Sequence, residues 1–458
     1  MEMADAIREA EHVERLPYLA HAVWAVLLGA ISGLAASLLR LGFRGLQWCL
    51  TGHGSDPPLV AAGLPEWKRL AIPILGALCA TAILVLRRRH AHKLGREPRP
   101  YVEYVEAVRR EHGHIPLVPN LWRTASAAFS VASGAAIGRE GSMIQFAAAI
   151  TSWLQEKLRG SRVAETLPTP GLAVACGVAG GVTTAYAAPV AGVFFAAEIV
   201  CGELRPKQIA YLALAAAAGW AVSRALLGPG PLYPTHVRLQ ADWTLWLLIP
   251  LALGFGALGP VYQKLIRSLR ALRRLRLALV LAGIVVGGLS LLDPRVWGNG
   301  DAGLDAALGH ARVPGLEIGA AAVATVLLLR LVATTVCVGC GTVGGVFTPT
   351  LFAGGAIGAL AGYGLAHLGQ TAADPALWGV VGMSALIAAA THAPLMAAFM
   401  ATELTGDWRL LPGLLLLDTV AWLLARQLSP DALYAIASQA PVHKGLPSPH
   451  QLGWRAKP

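Results

Sequence analysis

Charge is what this sequence has least of. Of its 458 residues only 14% are charged while 55% are hydrophobic, and the mean hydropathy is +0.56. A soluble domain carries about a quarter charged residues, so a polar-surfaced soluble protein is excluded and a polytopic membrane protein remains. Acidic groups are scarcer still, 26 against 37 basic ones, for a net charge of +11. The basic surplus falls in short clusters between apolar runs, at Arg87, Arg88 and Arg89 and again at Arg267, Arg270, Arg273, Arg274 and Arg276. The positive-inside rule assigns such clusters to the cytoplasm, and no nucleic-acid partner is expected. The six cysteines lie in or beside apolar segments, and although Cys337 and Cys340 form a CxxC, no second pair or nearby histidine completes a metal site. They read as small packing residues, and neither metal nor cofactor is expected. His90, His92, His112 and His114 are dispersed in charged loop sequence and read as solvated surface. Asparagine occurs only as Asn120 and Asn299, neither in a glycosylation sequon, which fits a bacterial inner membrane. Residues 1–16 lack an apolar signal region. Also missing are the Ser/His pairs, paired aspartates and HExxH motifs of membrane-embedded enzymes; the expectation is a transport protein, not an enzyme.

The runs that are present divide into two kinds. Regular spans are expected near Leu19–Phe43, Leu70–Leu86, Ile209–Leu227, Trp243–Ile266, Leu277–Leu292 and Ile318–Val338. Shorter pieces such as Met143–Leu158, Gly171–Thr184 and Pro189–Val200 are interrupted by Gly and Pro, the pattern of half-spanning helices around a midplane site. Residues 4–14 read as a short amphipathic surface helix, and Val102–Arg110 as a short helix dipping inward.

An internal duplication runs through these pieces. Ala188-Pro189, Phe194, Ala196 and Glu198 reappear as Ala393-Pro394, Phe399, Ala401 and Glu403, always 205 residues on, and Gly177 matches Gly382 at the same interval. The stretch SGAAIGREGSMIQ, Ser133–Gln145, places Arg139 and Glu140 between Gly138 and Gly141 in apolar sequence. Charge there is costly and marks function. Its counterpart is Gly345-Val346-Phe347-Thr348-Pro349, two residues off that register, with Pro349 where a helix would start. Two broken helices whose positive ends meet would attract an anion through free amides, without a lysine or arginine holding it too tightly. The bland alternatives are an Arg139–Glu140 salt bridge, structural caps at Glu198 and Glu403, a turn residue at His392 and an interfacial aromatic at Tyr434.

The combination of GREGS (Gly138–Ser142), GGVFTP (Gly344–Pro349), APVAGVFFAAE (Ala188–Glu198) and Tyr434 in DALYAI resembles the CLC family of chloride channels and proton-coupled chloride transporters. With VWGNG at Val296–Gly300 and YVEAV at Tyr104–Val108 it is most similar to the bacterial ClcB-type branch. The resemblance implies an all-α membrane protein, a CLC-type fold of two inverted repeats with many tilted, broken and re-entrant helices. It implies residues 1–18 as a cytoplasmic amphipathic helix and 19–435 as one transmembrane domain, with repeats over about 70–228 and 243–435. Residues 436–458 are expected as a short cytoplasmic tail without CBS regulatory domains. A homodimer in the lipid bilayer, one pore per subunit, is implied, with chloride and similar small anions as the partners.

By the same resemblance Gly141, Val346, Phe347 and Tyr434 bind the anion, Gly138, Arg139, Gly345 and Pro349 complete the filter motif, and Glu140 is the gate. Its ionised carboxylate would compete with chloride and its protonation would release the path, so conduction should rise at acid external pH. Two departures stand out. The position where exchangers of the family carry an inner proton glutamate is Ile199, which cannot carry a proton. The serine-bearing turn expected around Gly95–Val102 reads GREPRPYV, without serine. The sequence therefore favours a chloride-selective channel, with a proton-coupled antiporter as the alternative and a membrane-embedded enzyme as a remote one.

Overall fold

The computed structural model describes residues 2–93, 101–228, 230–235, 237, 243–310, 313–316, 318–369 and 374–434. Among them are seventeen α-helices and no strand. Seven helices are long and apolar enough to cross a membrane: Tyr18–Thr51, Glu66–His90, Pro206–Leu227, Leu248–Arg274, Ala320–Cys340, Phe347–His367 and Trp408–Leu428. Pro189–Cys201, Ala278–Leu292 and Pro375–Thr391 are apolar but shorter. Residues 4–14 do not form a separate helix; they belong to one unbroken helix, Glu2–Thr51. The tail at 436–458 lies outside the described residues.

The 205-residue interval is a structural repeat. Pro170–Tyr186 corresponds to Pro375–Thr391, and each ends on a non-glycine residue in the left-handed region, Ala187 at φ 55° and His392 at φ 59°. Each is followed by an alanine outside helical geometry, Ala188 or Ala393, and then Pro189 or Pro394 at the first position of the next helix. Proline forces this break: it excludes helical geometry from the residue before it, yet fits a helix start where its missing N–H is no loss. His392 is thus the turn residue the sequence suggested.

The two halves also share their packing. Glu2–Thr51 lies against Pro206–Leu227 and Pro170–Tyr186, as Trp243–Ser268 lies against Leu411–Leu428 and Pro375–Thr391. Glu140–Leu158 sits on Pro170–Tyr186 as Phe347–His367 sits on Pro375–Thr391. The paired glycines explain those last contacts. A Cβ on Gly177 would stand 2.2 Å from Thr151 Oγ1, and one on Gly382 2.3 Å from the Gly354 carbonyl. Small residues let membrane helices approach this closely.

Where the halves meet, the contacts are reciprocal. The Glu198 carboxylate accepts from the amides of Leu395 and Met396, at 3.4 and 2.8 Å, while Glu403 accepts from Val190 and Ala191, at 3.0 and 2.8 Å. Phe194 and Phe399 stack on each other, 4.8 Å between centroids and 3° between planes. Reciprocal pairing of equivalent residues requires a local two-fold axis, and the two repeats are inverted about it. Both glutamates are helix caps, filling the need of first-turn amides for acceptors.

One irregularity was invisible in the sequence. Residues Phe195–Cys201 form a π turn, whereas Pro394–Thr405 stays α-helical. The terminating glycines, Gly202 (φ 75°) and Gly406 (φ 76°), are consequently 204 rather than 205 residues apart. The first repeat carries one extra residue, and the wider turn absorbs it.

Candidate anion site and its gate

The two glycine turns meet edge to edge. The Gly138 amide donates to the Gly345 carbonyl and the Gly345 amide to the Gly138 carbonyl, both at 2.7 Å, forming an isolated antiparallel bridge. Nothing larger than glycine fits beside it: a Cβ on Gly141 would lie 2.6 Å from Gly345 Cα. From this bridge start the helices Glu140–Leu158 and Phe347–His367. Neither N-cap residue, Arg139 or Val346, caps its helix with a side chain. Two helix N-termini with first-turn amides to offer are thereby brought together, each equivalent to about half a positive charge. The second helix begins two residues earlier than the proline suggested, so Pro349 is its third residue; it is still in the first turn, where an N–H has no intrahelical partner.

A cavity of about 950 Å³ opens onto this point. Its walls include Gly141, Gly345, Val346, Phe347 and Tyr434, together with Tyr186 and Tyr104. Arginines from three segments line it as well: Arg87 and Arg88, Arg123, and the run from Arg267 to Arg276. Such a lining raises the local concentration of anions. The aromatic side chains interlock. Tyr434 meets Phe195 edge-on at 5.5 Å and Tyr104 at 6.4 Å, Phe195 meets Phe347 at 6.0 Å, and Tyr186 lies 5.2 Å from Phe347 with its hydroxyl 3.1 Å from Thr348 Oγ1. Of the sequence-designated residues, Gly141, Gly345, Val346, Phe347 and Tyr434 line this cavity, whereas Gly138, Arg139, Glu140 and Pro349 do not.

Glu140 is not part of this lining. The residue is 3% exposed and borders neither this cavity nor a second, small one lined by Arg40, Arg139, Gly298 and Asn299. Its Oε1 accepts from Asn299 Nδ2 at 2.7 Å; its Oε2 is buried without a hydrogen-bond partner, over Gly138. Arg139 does reach Oε1, but only at 3.5 Å, and its other arm lies 3.5 Å from Asp301 Oδ2, whose second oxygen accepts from the Tyr233 hydroxyl. The neighbouring-residue ion pair exists, but as one shared contact in a network.

The remaining sequence candidates fall into place around this centre. Ile199 is 4% exposed within the π turn, and its carbonyl accepts from Arg109 Nη2 at 2.7 Å. Of the stretch around Gly95–Val102, residues 95–100 lie outside the described residues. The end of that stretch is pinned by Gln145, which donates to the Val102 carbonyl and accepts from the Tyr104 amide, both at 3.0 Å. Cys337 and Cys340 are buried packing residues. Asn299, Asp301, Tyr233, Tyr104 and Tyr186 were not foreseen. The signal for the first two was there, a rare polar run, WGNGDAGLD, holding one of only two asparagines.

Paired broken helices from inverted repeats, converging on one arginine-lined cavity, define a membrane protein for passing small anions. The chain belongs to the voltage-gated chloride channel family, whose model matches residues 76–426. It is 38% identical to a ClcB-like protein of Ralstonia nicotianae over 90% of this chain and 95% of that one. It is 35% identical to the voltage-gated ClC-type chloride channel ClcB of Citrobacter koseri, over 89% and 97%. Its fold matches that of a slow cyanobacterial Cl-/H+ antiporter at a TM-score of 0.75 and 20% identity, covering 91% of this chain and 97% of the other. It is accordingly a multi-pass CLC chloride channel or transporter.

Proposed function

We propose that this protein is a chloride-selective channel gated by Glu140 and by voltage. The observation that carries the reading is one buried carboxylate set over Gly138, at the bridge where both helix N-termini begin and beside the anion cavity. Ionised, Glu140 occupies the position an anion would take; protonated, it loses its hold there and the path opens. Gly141, Val346, Phe347 and Tyr434 hold the anion, and Gly138, Arg139, Gly345 and Pro349 shape the filter around it. Ile199 supports a channel over an exchanger, since a buried aliphatic side chain cannot relay protons from the inner side. The subunit functions as a homodimer in the bacterial inner membrane, as an electrical shunt during acid stress.

Chloride efflux from proteoliposomes tests this, with external pH and membrane potential recorded together. Efflux down the gradient without uphill proton movement, accelerated by acid in the wild type and not in Glu140→Ala, is the expected result. A chloride gradient that drives protons uphill, abolished by the same substitution, would make the protein an exchanger.

A further inference from the structure

We propose that Asn299 is the latch of the Glu140 gate, holding the carboxylate in its blocking position by a hydrogen bond from a loop that Arg330 fixes in place. The proposal rests on the reading of Glu140 as gate.

The geometry singles out Asn299. Among side chains, Asn299 Nδ2 is the one short donor to Oε1 of Glu140, at 2.7 Å, beside the residue's own backbone amide, whereas the Arg139 guanidinium stands 3.5 Å away and is divided between Glu140 and Asp301. The charged and titratable groups facing the carboxylate are Arg139, Asp301 and Arg40, with the hydroxyls of Tyr186, Tyr233 and Tyr434. The side-chain amide is oriented by its other end, because Asn299 Oδ1 accepts from the Asp301 amide at 3.4 Å. That leaves the two N–H donors for the carboxylate.

The loop itself has no freedom to follow a moving partner. Arg330, 1% exposed in the span Ala320–Cys340, donates to the carbonyls of Arg295, Val296 and Gly298 at 2.9–3.0 Å. Gly298 donates to the Gly134 carbonyl at 3.1 Å, and Trp297 lies so close to Gly134 that a Cβ there would be 2.4 Å from the indole. A donor on so rigid a mount favours one position of the carboxylate and its ionised form, since a bond to a charged acceptor is about twice as strong as a neutral one. When Glu140 is protonated or displaced by an incoming anion, Asn299 cannot go with it. The latch therefore biases the gate toward closed at neutral pH.

The test is chloride efflux at pH 4.5 and 7.5 for wild type, Glu140→Ala, Asn299→Leu and the double variant, each confirmed as a single species by size exclusion. Asn299→Leu should raise efflux at neutral pH by about tenfold, shrinking the acid stimulation, and should change nothing in the Glu140→Ala background. Should the leucine variant fail to fold, Asn299→Asp keeps the shape, loses the donors and sets a like charge beside Glu140; it should move efflux in the same direction. Wild-type acid stimulation in Asn299 variants, with Glu140→Ala unresponsive to pH, would overturn the latch and leave the gate standing. An Asn299 effect that persists without Glu140 would overturn it too. A Glu140→Ala protein that still responds to acid removes the gate, and the latch with it.

Discussion

The turn at Gly138–Gly141 and the turn at Gly345–Thr348 have nearly the same backbone and quite different side chains. They exchange a pair of equal hydrogen bonds, and each starts a helix without a side-chain cap. One then carries Arg139 and Glu140, the other Val346 and Phe347. The shared backbone supplies what must be symmetric, two positive helix ends aimed at one place. The difference supplies direction, because only one half brings a carboxylate that can compete with the anion while the other brings an aromatic wall. Duplication thus makes the paired turns, and on the proposed reading the loss of identity between the copies makes one of them a gate.

The comparison breaks most completely at the bridge. Gly141→Ala places a methyl group against the Gly345 backbone, which has nowhere to retreat, so both turns lose their geometry; the expected outcome is no measurable chloride flux and poor recovery of monodisperse protein. Glu140→Ala comes next and removes the one carboxylate that sets the two turns apart, leaving Arg139 in place. Flux should become high at neutral pH and independent of acid, where the wild type rises as external pH falls. A smaller effect tests the symmetry itself. Glu198→Ala and Glu403→Ala each remove a carboxylate cap from the partner helix, and each should cost about 1–2 kcal/mol, seen as matching drops in thermal unfolding temperature in detergent. A large inequality between the two would mean that the π turn carrying Glu198 changes the energetics as well as the register. The smallest effect is expected from Tyr434→Phe, which keeps the ring contacts with Phe195 and Tyr104 and removes the hydroxyl alone. Chloride affinity by titration calorimetry should fall about two- to tenfold, with flux still acid-stimulated.

How much of this was legible beforehand varies by residue. The breaks at Pro189 and Pro394 were readable because proline acts through local sterics. The turn at Gly138–Gly141 was readable because charge between glycines in apolar sequence has few structural uses. Asn299 and Asp301 were not, although they stand in a rare polar run, because nothing local says that a loop 159 residues beyond Glu140 folds back onto it. Arg330 was hidden for the opposite reason: inside a long apolar span it reads as a blemish, and only the carbonyls of Arg295, Val296 and Gly298 explain how its charge is tolerated.

Composition and local sterics, then, determined that this is a polytopic helical protein, that it is duplicated, where its helices break and which turns place charge among glycines in apolar sequence. These follow from solvent preference and backbone geometry, which act within a few residues. The tertiary structure alone decided that the two turns meet as one bridge, that equivalent glutamates cap each other's helices, that a π turn absorbs the extra residue, and that Glu140 is held by Asn299. Those are contacts between residues roughly 160 to 210 positions apart, and their partners are fixed by how whole helices pack, which no local pattern encodes.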